Sequence, residues 1–129
     1  MIEIAIKSAI EALSGMAVYP LLLPDMVQEG ITFQLISDPV IDGGMVQTGL
    51  IAGRFQISMY KVDDYTGLVQ LDKRIWQSWS QIRQGFVGGY PVQYVERGGV
   101  NQNSATLNNN RIQYRLARDF ILYYREVAT

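Results

Sequence analysis

The chain has 129 residues, 11 Lys and Arg against 12 Asp and Glu, and a formal charge of −1. It has no Cys and no His, which excludes disulfides, thiolate nucleophiles, cysteine zinc sites, imidazole metal ligands and Ser–His–Asp triads. The length suits one domain, spanning 1–129, with enough buried surface to do without a metal or disulfide staple, and the near-zero charge argues against bulk attraction to nucleic acid or an anionic membrane.

The first element is read as a helix from Ile2 to Leu13. Ile2, Ile6, Ala9, Ile10 and Leu13 recur at helical spacing, and Glu3, Lys7 and Glu11 form an i, i+4 series on the other face. Gly15 supplies a left-handed stop. Glu3 and the lack of a basic lead are unlike a secretory signal, and no run reaches the ~18 apolar residues of a membrane span, so a soluble protein made in a cytoplasm and without a membrane partner is expected. Pro20 and Pro24 then bar a helix through Tyr19–Pro24, which reads as an apolar connector lying over the core edge or against a partner.

Ile31, Phe33 and Leu35 alternate with Thr32 and Gln34, predicting a strand that Asp38-Pro39 ends. The stretch from Asp38 to Gln47, with Asp42-Gly43-Gly44, reads as a turn or ordered loop. A long strand is expected from about Thr48 to Lys61, with Ile51, Phe55, Ile57 and Met59 on one face and Arg54, Gln56 and Ser58 on the other. Gly49 and Gly53 on its apolar side predict a bulge or close packing.

Asp63 or Asp64 is expected to cap a second helix, with Leu68, Leu71, Ile75, Trp79 and Ile82 inward, a first turn loosened by Gly67 and an end at Gly85. Trp76 lies at the edge of that apolar stripe. A shorter strand follows over Tyr90–Arg97, with Val92 and Tyr94 on one side and Gln93 and Val95 on the other. Gly98 to Asn110 is polar and Asn-rich, a loop or a long hairpin tip. In the last strand Ile112, Tyr114, Leu116, Phe120, Leu122 and Tyr124 occupy even positions, while Arg111, Gln113, Arg115, Asp119 and Arg125 occupy odd ones. Arg118 interrupts the even row and predicts a bulge or bend there. The order α-β-β-α-β-β, with amphipathic helices and one-sided strands, implies an α+β two-layer sandwich, an antiparallel sheet with two helices on one face.

No catalytic constellation stands out. Most of the acids read as caps, turn residues or solvated faces. Asp38, Asp42, Asp63 and Asp64 lack EF-hand spacing, and the Gly pairs lack the strand–loop–helix setting of a phosphate cradle. No cofactor or metal is expected. Four of the eight Arg lie between Arg111 and Arg125, giving the outer sheet face a basic character that fits a protein interface, a phosphate backbone or solvent. Ile121 and Tyr123 point outward beside them, more apolar surface than a monomer requires.

In order of elements the chain resembles the small tail terminator, or tail completion, proteins of long-tailed bacteriophages, the lambda-type U protein family. The resemblance is one of pattern and covers nearly the whole chain. It is carried by a short opening helix, Tyr19-Pro20, the strand Ile31–Leu35, the strand Gly53–Tyr60 running into a helix opened by Asp63-Asp64-Tyr65, and a long alternating last strand. It implies a non-enzymatic minor tail protein of a phage or prophage, made in the host bacterial cytoplasm and resident in the virion tail. Such a protein forms a hexameric homo-oligomeric ring on the head-proximal end of the tail tube, stops tube polymerisation and offers the head-joining surface. Its partners are itself, the tail tube protein and a head completion or connector protein, with DNA only passing through the lumen. From strand alternation, the contact residues expected are Arg54, Gln56, Trp76, Arg115, Ile121 and Tyr123. The rival readings are a nucleic-acid-binding α+β module using the basic sheet face, a small hydrolase or sugar enzyme using paired carboxylates, and another head–tail joining protein.

Overall fold

The computed structural model describes residues 1–43 and 46–126, with side chains throughout except at 42–48. It contains two helices and seven strands, an α+β fold: α1 (Ile2–Ser14), β1 (Val18–Pro20), β2 (Gly30–Ser37), β3 (Val40–Gly43), β4 (Val46–Val62), α2 (Tyr65–Trp79), β5 (Arg83–Val87), β6 (Tyr90–Thr106) and β7 (Ile112–Arg125).

The sheet runs β1-β2-β4-β7-β6-β5, with β3 alongside the start of β4. It is mixed rather than wholly antiparallel, because β1 pairs parallel with β2, Val18 opposite Ile31. The Tyr19-Pro20 segment is thus in part an edge strand, where a missing Pro amide costs least; only Leu21 onward is connector. The stretch read as a loop after Asp38 contains β3, which continues the line of β2 along β4 once past the Asp38-Pro39 break. Gly44 of the expected turn lies outside the described residues. Gly49 takes φ +69° where β4 holds extra residues against β3, the bulge that its position in the sequence predicts.

β4 and β7 form the centre, paired without a shift from Leu50 opposite Arg125 to Val62 opposite Gln113. Their inward residues, Ile51, Phe55, Ile57 and Met59 with Leu116, Phe120, Leu122 and Tyr124, share one core cluster with Ile2, Ile6 and Ile10 of α1 and Leu68, Leu71, Ile75 and Trp79 of α2. Gly53 lies in this row because nothing larger fits: a Cβ there would stand 2.7 Å from the Tyr124 ring.

α1 ends as expected, with Gly15 left-handed at φ +69° and its N–H bonded to the Glu11 carbonyl. At α2 the two aspartates divide the work. Asp64 caps the helix, accepting from the Gly67 N–H at 2.9 Å. Gly67 does not loosen the turn but makes room for the cap, since a Cβ would collide with the Asp64 carboxylate. Asp63, at φ +55°, instead accepts from Ile112 N–H and Arg111 Nε, both at 2.9 Å, tying the head of the helix to the start of β7. The helix stops at Trp79, and Gly85 lies in β5.

Two further expectations are corrected. Val92 and Val95 are both buried and Tyr94 is outward, so β6 does not keep strict alternation there. The Asn-rich stretch takes the hairpin form, one of its two expected readings, with strand as far as Thr106 and a turn through Leu107–Arg111 into β7. The bulge expected at Arg118 sits instead on β6, between Arg97 and Val100. Arg118 keeps its place in the inward row because α2 brings it a counter-ion: Asp72 accepts from its Nε at 3.2 Å and its Nη2 at 3.0 Å, and the Gly98 carbonyl in the bulge accepts from Nη1 at 3.2 Å. Both side chains are buried, 8% and 6% exposed.

Candidate functional site: the outer face of the central strands

Residues that alternate with the core row on β4, β7 and β6 form the opposite face of the sheet. Register brings Arg54 opposite Ile121, Gln56 opposite Asp119, Ser58 opposite Ala117 and Tyr60 opposite Arg115. On the far side of β7, Tyr94 faces Tyr123 and Glu96 faces Ile121. Five of the six contact residues expected from the sequence therefore share this face: Arg54, Gln56, Arg115, Ile121 and Tyr123, each half-buried. Trp76 does not join them. It stacks on Phe120 at 6.2 Å and 23°, on the helix side, half-buried against the core.

The middle of the face is a row of small side chains, Thr32, Ser58 and Ala117, all buried. Rows of longer ones flank it, Gln34–Gln56–Asp119 on one side and Tyr60–Arg115 on the other. Arg115 leans inward, donating from Nη2 to Ser58 Oγ at 3.0 Å with its guanidinium 6.0 Å from the Tyr60 ring centroid.

A second cluster lies toward β6. Tyr94 and Tyr123 stack at 4.4 Å and 7°, and both hydroxyls donate to Glu96 Oε1, at 2.6 and 2.9 Å. The Tyr94 hydroxyl, then that of Tyr123, then the charge of Arg54 hold the Glu96 carboxyl below its usual range. Tyr94 is pushed well up, first by its bond to Glu96, and Tyr123 is pushed up by burial and then by Glu96. Arg54 pairs with Asp119 at 3.2 Å.

Opposite charges and aromatic rings are thus set in fixed positions. Among the described residues no three metal-ligating side chains come together. Of the arginines expected on this face, Arg54 is bound to Asp119 and Arg111 to Asp63 at the edge, while Arg115 and Arg125 have no carboxylate partner among the described residues. Tyr94, Glu96 and Asp119 complete the arrangement and were not singled out from sequence. Tyr94 and Glu96, two apart, carried the signal, but the irregular alternation of β6 concealed it.

Apolar side chains are exposed at both margins of the sheet. Leu21, Leu22 and Met26 follow β1, with Leu21 and Met26 at positive φ, while Leu35 and Ile36 lie on the part of β2 beyond its pairing with β1. Phe86 is exposed on β5 at the opposite margin.

No known protein-family model matches the chain, and no curated protein sequence matches it.

Proposed function

We propose that this protein is a non-enzymatic assembly component that works as a ring, a minor tail protein of the phage tail terminator kind. In this reading a hexameric ring sits on the head-proximal end of a tail tube, halts tube growth and presents the surface for a head completion or connector protein, with DNA passing through. The residence is the virion tail after assembly in the host cytoplasm. We further read the fold as a two-layer sandwich with both helices on one face, since the buried stripes of α1 and α2 meet the same inward row of β4 and β7.

The observation that carries the functional reading is the outer face. Its arginines, tyrosines and carboxylates hold one another in position before any partner arrives, and Tyr and Arg are the residue types that dominate protein interfaces. The exposed apolar margins add to it. They lie on opposite edges of one sheet, so a copy that sets its Leu21–Leu22–Ile36 edge toward the Phe86 edge of the next makes a head-to-tail contact, the kind that closes rings.

The test is light scattering and negative-stain imaging of the concentrated protein, followed by incubation with purified tail tubes. Open-centred rings, or rings seen only on tube ends, support the reading. Charge reversal at Arg54 or Arg115 is expected to reduce assembly without unfolding the chain. A monomer that leaves tube ends bare and tube growth unchanged would refute the proposal.

A further inference from the structure

Most carboxylates in this chain have a partner. Glu11 pairs with Lys7, Asp63 with Arg111, Asp64 with Lys61, Asp72 with Arg118 and Asp119 with Arg54. Glu29 accepts from the Val62 N–H, and Glu96 accepts from two tyrosines. Glu3, Asp25, Asp38 and Glu126 have no hydrogen-bond or ion-pair partner among the described residues; Asp25 lies elsewhere, and the other three line one cavity of about 550 Å³. They arrive from separate places: the first turn of α1, the break between β2 and β3, and the end of β7. The amino group of Met1, also in the wall, forms no ion pair with any of them.

A second observation comes from the wall itself. Tyr124 is 5% exposed, yet its hydroxyl has no hydrogen-bond partner among the described residues. No fully enclosed side-chain oxygen is left unbonded among those residues, so this hydroxyl opens onto the cavity that the residue lines. Tyr124 meets Tyr90 edge-on at 5.8 Å and 86°, and Ile2 and Pro91 add apolar surface. The Tyr90 hydroxyl is already committed to the Arg125 carbonyl at 2.7 Å. Burial, then the charges of Glu3, Asp38 and Glu126, push the Tyr124 phenol up to about 12, so it enters neutral solution with a proton to donate and a lone pair to accept.

The three carboxylates do not gather closely enough to share a metal ion. They surround a space of ligand size with aromatic walls. That combination suits a cation with an apolar stem, which carboxylates attract and ring faces stabilise.

We propose that this cavity is a binding site for an organic cation, an alkylguanidinium or alkylammonium group, its head among Glu3, Asp38 and Glu126 and its stem against Tyr90 and Tyr124. The proposal is independent of the ring reading. The hydroxyl of Tyr124 accepts a hydrogen bond from the head group.

The test is calorimetric titration of the full chain with butylguanidinium, 1,4-diaminobutane, an acetyl-Gly-Arg-Gly-amide peptide and, as the neutral control, butylurea. Saturable binding of the cations but not of butylurea is expected. Glu3→Gln/Asp38→Asn/Glu126→Gln is expected to weaken it by about tenfold or more through loss of charge-assisted contacts. Tyr124→Phe, with its fold checked by circular dichroism, keeps the wall and removes only the hydroxyl; it is expected to weaken binding less. Tighter binding of the peptide identifies a basic side chain of another protein as the occupant, and tighter binding of diaminobutane identifies a free amine. No saturation by any cation, equal binding of butylurea, or an undiminished triple variant would overturn the proposal.

Discussion

Replacing Arg118 with Met is expected to destabilise the protein by about 3–5 kcal/mol, the cost of leaving one member of a buried ion pair without its counter-charge. The structure sets that magnitude near the top of the range for point substitutions. The pair is bidentate, at 3.2 and 3.0 Å, both side chains are over nine-tenths buried, and the third bond runs to the Gly98 carbonyl in the β6 bulge. Met in place of Arg118 strands the Asp72 carboxylate between α2 and the sheet; Leu in place of Asp72 strands the guanidinium. The double variant Asp72→Leu/Arg118→Met removes both charges and is expected to recover most of the loss, since apolar replacements of buried pairs are often neutral or stabilising. Urea unfolding followed by the fluorescence of Trp76 and Trp79, which sit on the same helix as Asp72, measures all four members of the cycle. Single variants within about 0.5 kcal/mol of the parent would mean that water reaches the pair, and the account of why Arg118 tolerates the core row would fail.

Other outcomes follow from the same geometry. Gly67→Ala is expected to destabilise by about 1 kcal/mol despite the better helix propensity of Ala, because the new methyl displaces the Asp64 cap; a thermal melt more stable than the parent would contradict this. Gly53→Ala presses a Cβ on the Tyr124 ring and is expected to cost about 1–3 kcal/mol, with Tyr124→Leu in the same chain restoring part of it. Glu96, Glu11 and Asp63 bind protons less readily folded than unfolded, so their contribution is full above the ordinary carboxylate range and disappears as pH falls through the lowered folded values. Tyr94, Tyr123 and Tyr124 are raised, so theirs is full below the ordinary phenol value of 10 and is lost as pH rises through the folded values. Denaturant midpoints should decline at both ends of the pH range, and ultraviolet titration should show a late-titrating tyrosine fraction that Tyr124→Phe reduces.

Much of this architecture was legible in the residues. Helical spacing located α1, and period-two alternation assigned the inward rows of β4 and β7, because both elements are long and bury one side. The short edge strands were not legible: Val18–Pro20 and Arg83–Val87 are three and five residues long, and pairing with a neighbour, not their own pattern, makes them strands. The second half of β6 has no apolar alternation to read, since Val100–Thr106 is exposed along its length and takes its strand form from pairing with β7. Arg118 was visible as a charged residue in an apolar row, whereas Asp72, four positions after Leu68 and buried, was passed over among acids read as caps, turns and solvated faces. Only the two anomalies taken together explain each other. For the outer face, alternation was enough to group Arg54, Gln56, Arg115, Ile121 and Tyr123, while the Tyr94–Glu96–Tyr123 cluster depends on a strand whose register the bulge displaces.

The long connection between β4 and β7 has a consequence for synthesis. The two central strands of the sheet are separated by residues 63–111, so β4 must wait for about fifty residues to be added before its neighbour exists. At roughly 5–20 residues per second that interval lasts about 2–10 s. Throughout it, one edge of β4 and the row Ile51, Phe55, Ile57 and Met59 lack the strand that completes their cover. The innermost strand of the sheet is also the last to be made, so the nascent chain carries its most adhesive surface longest.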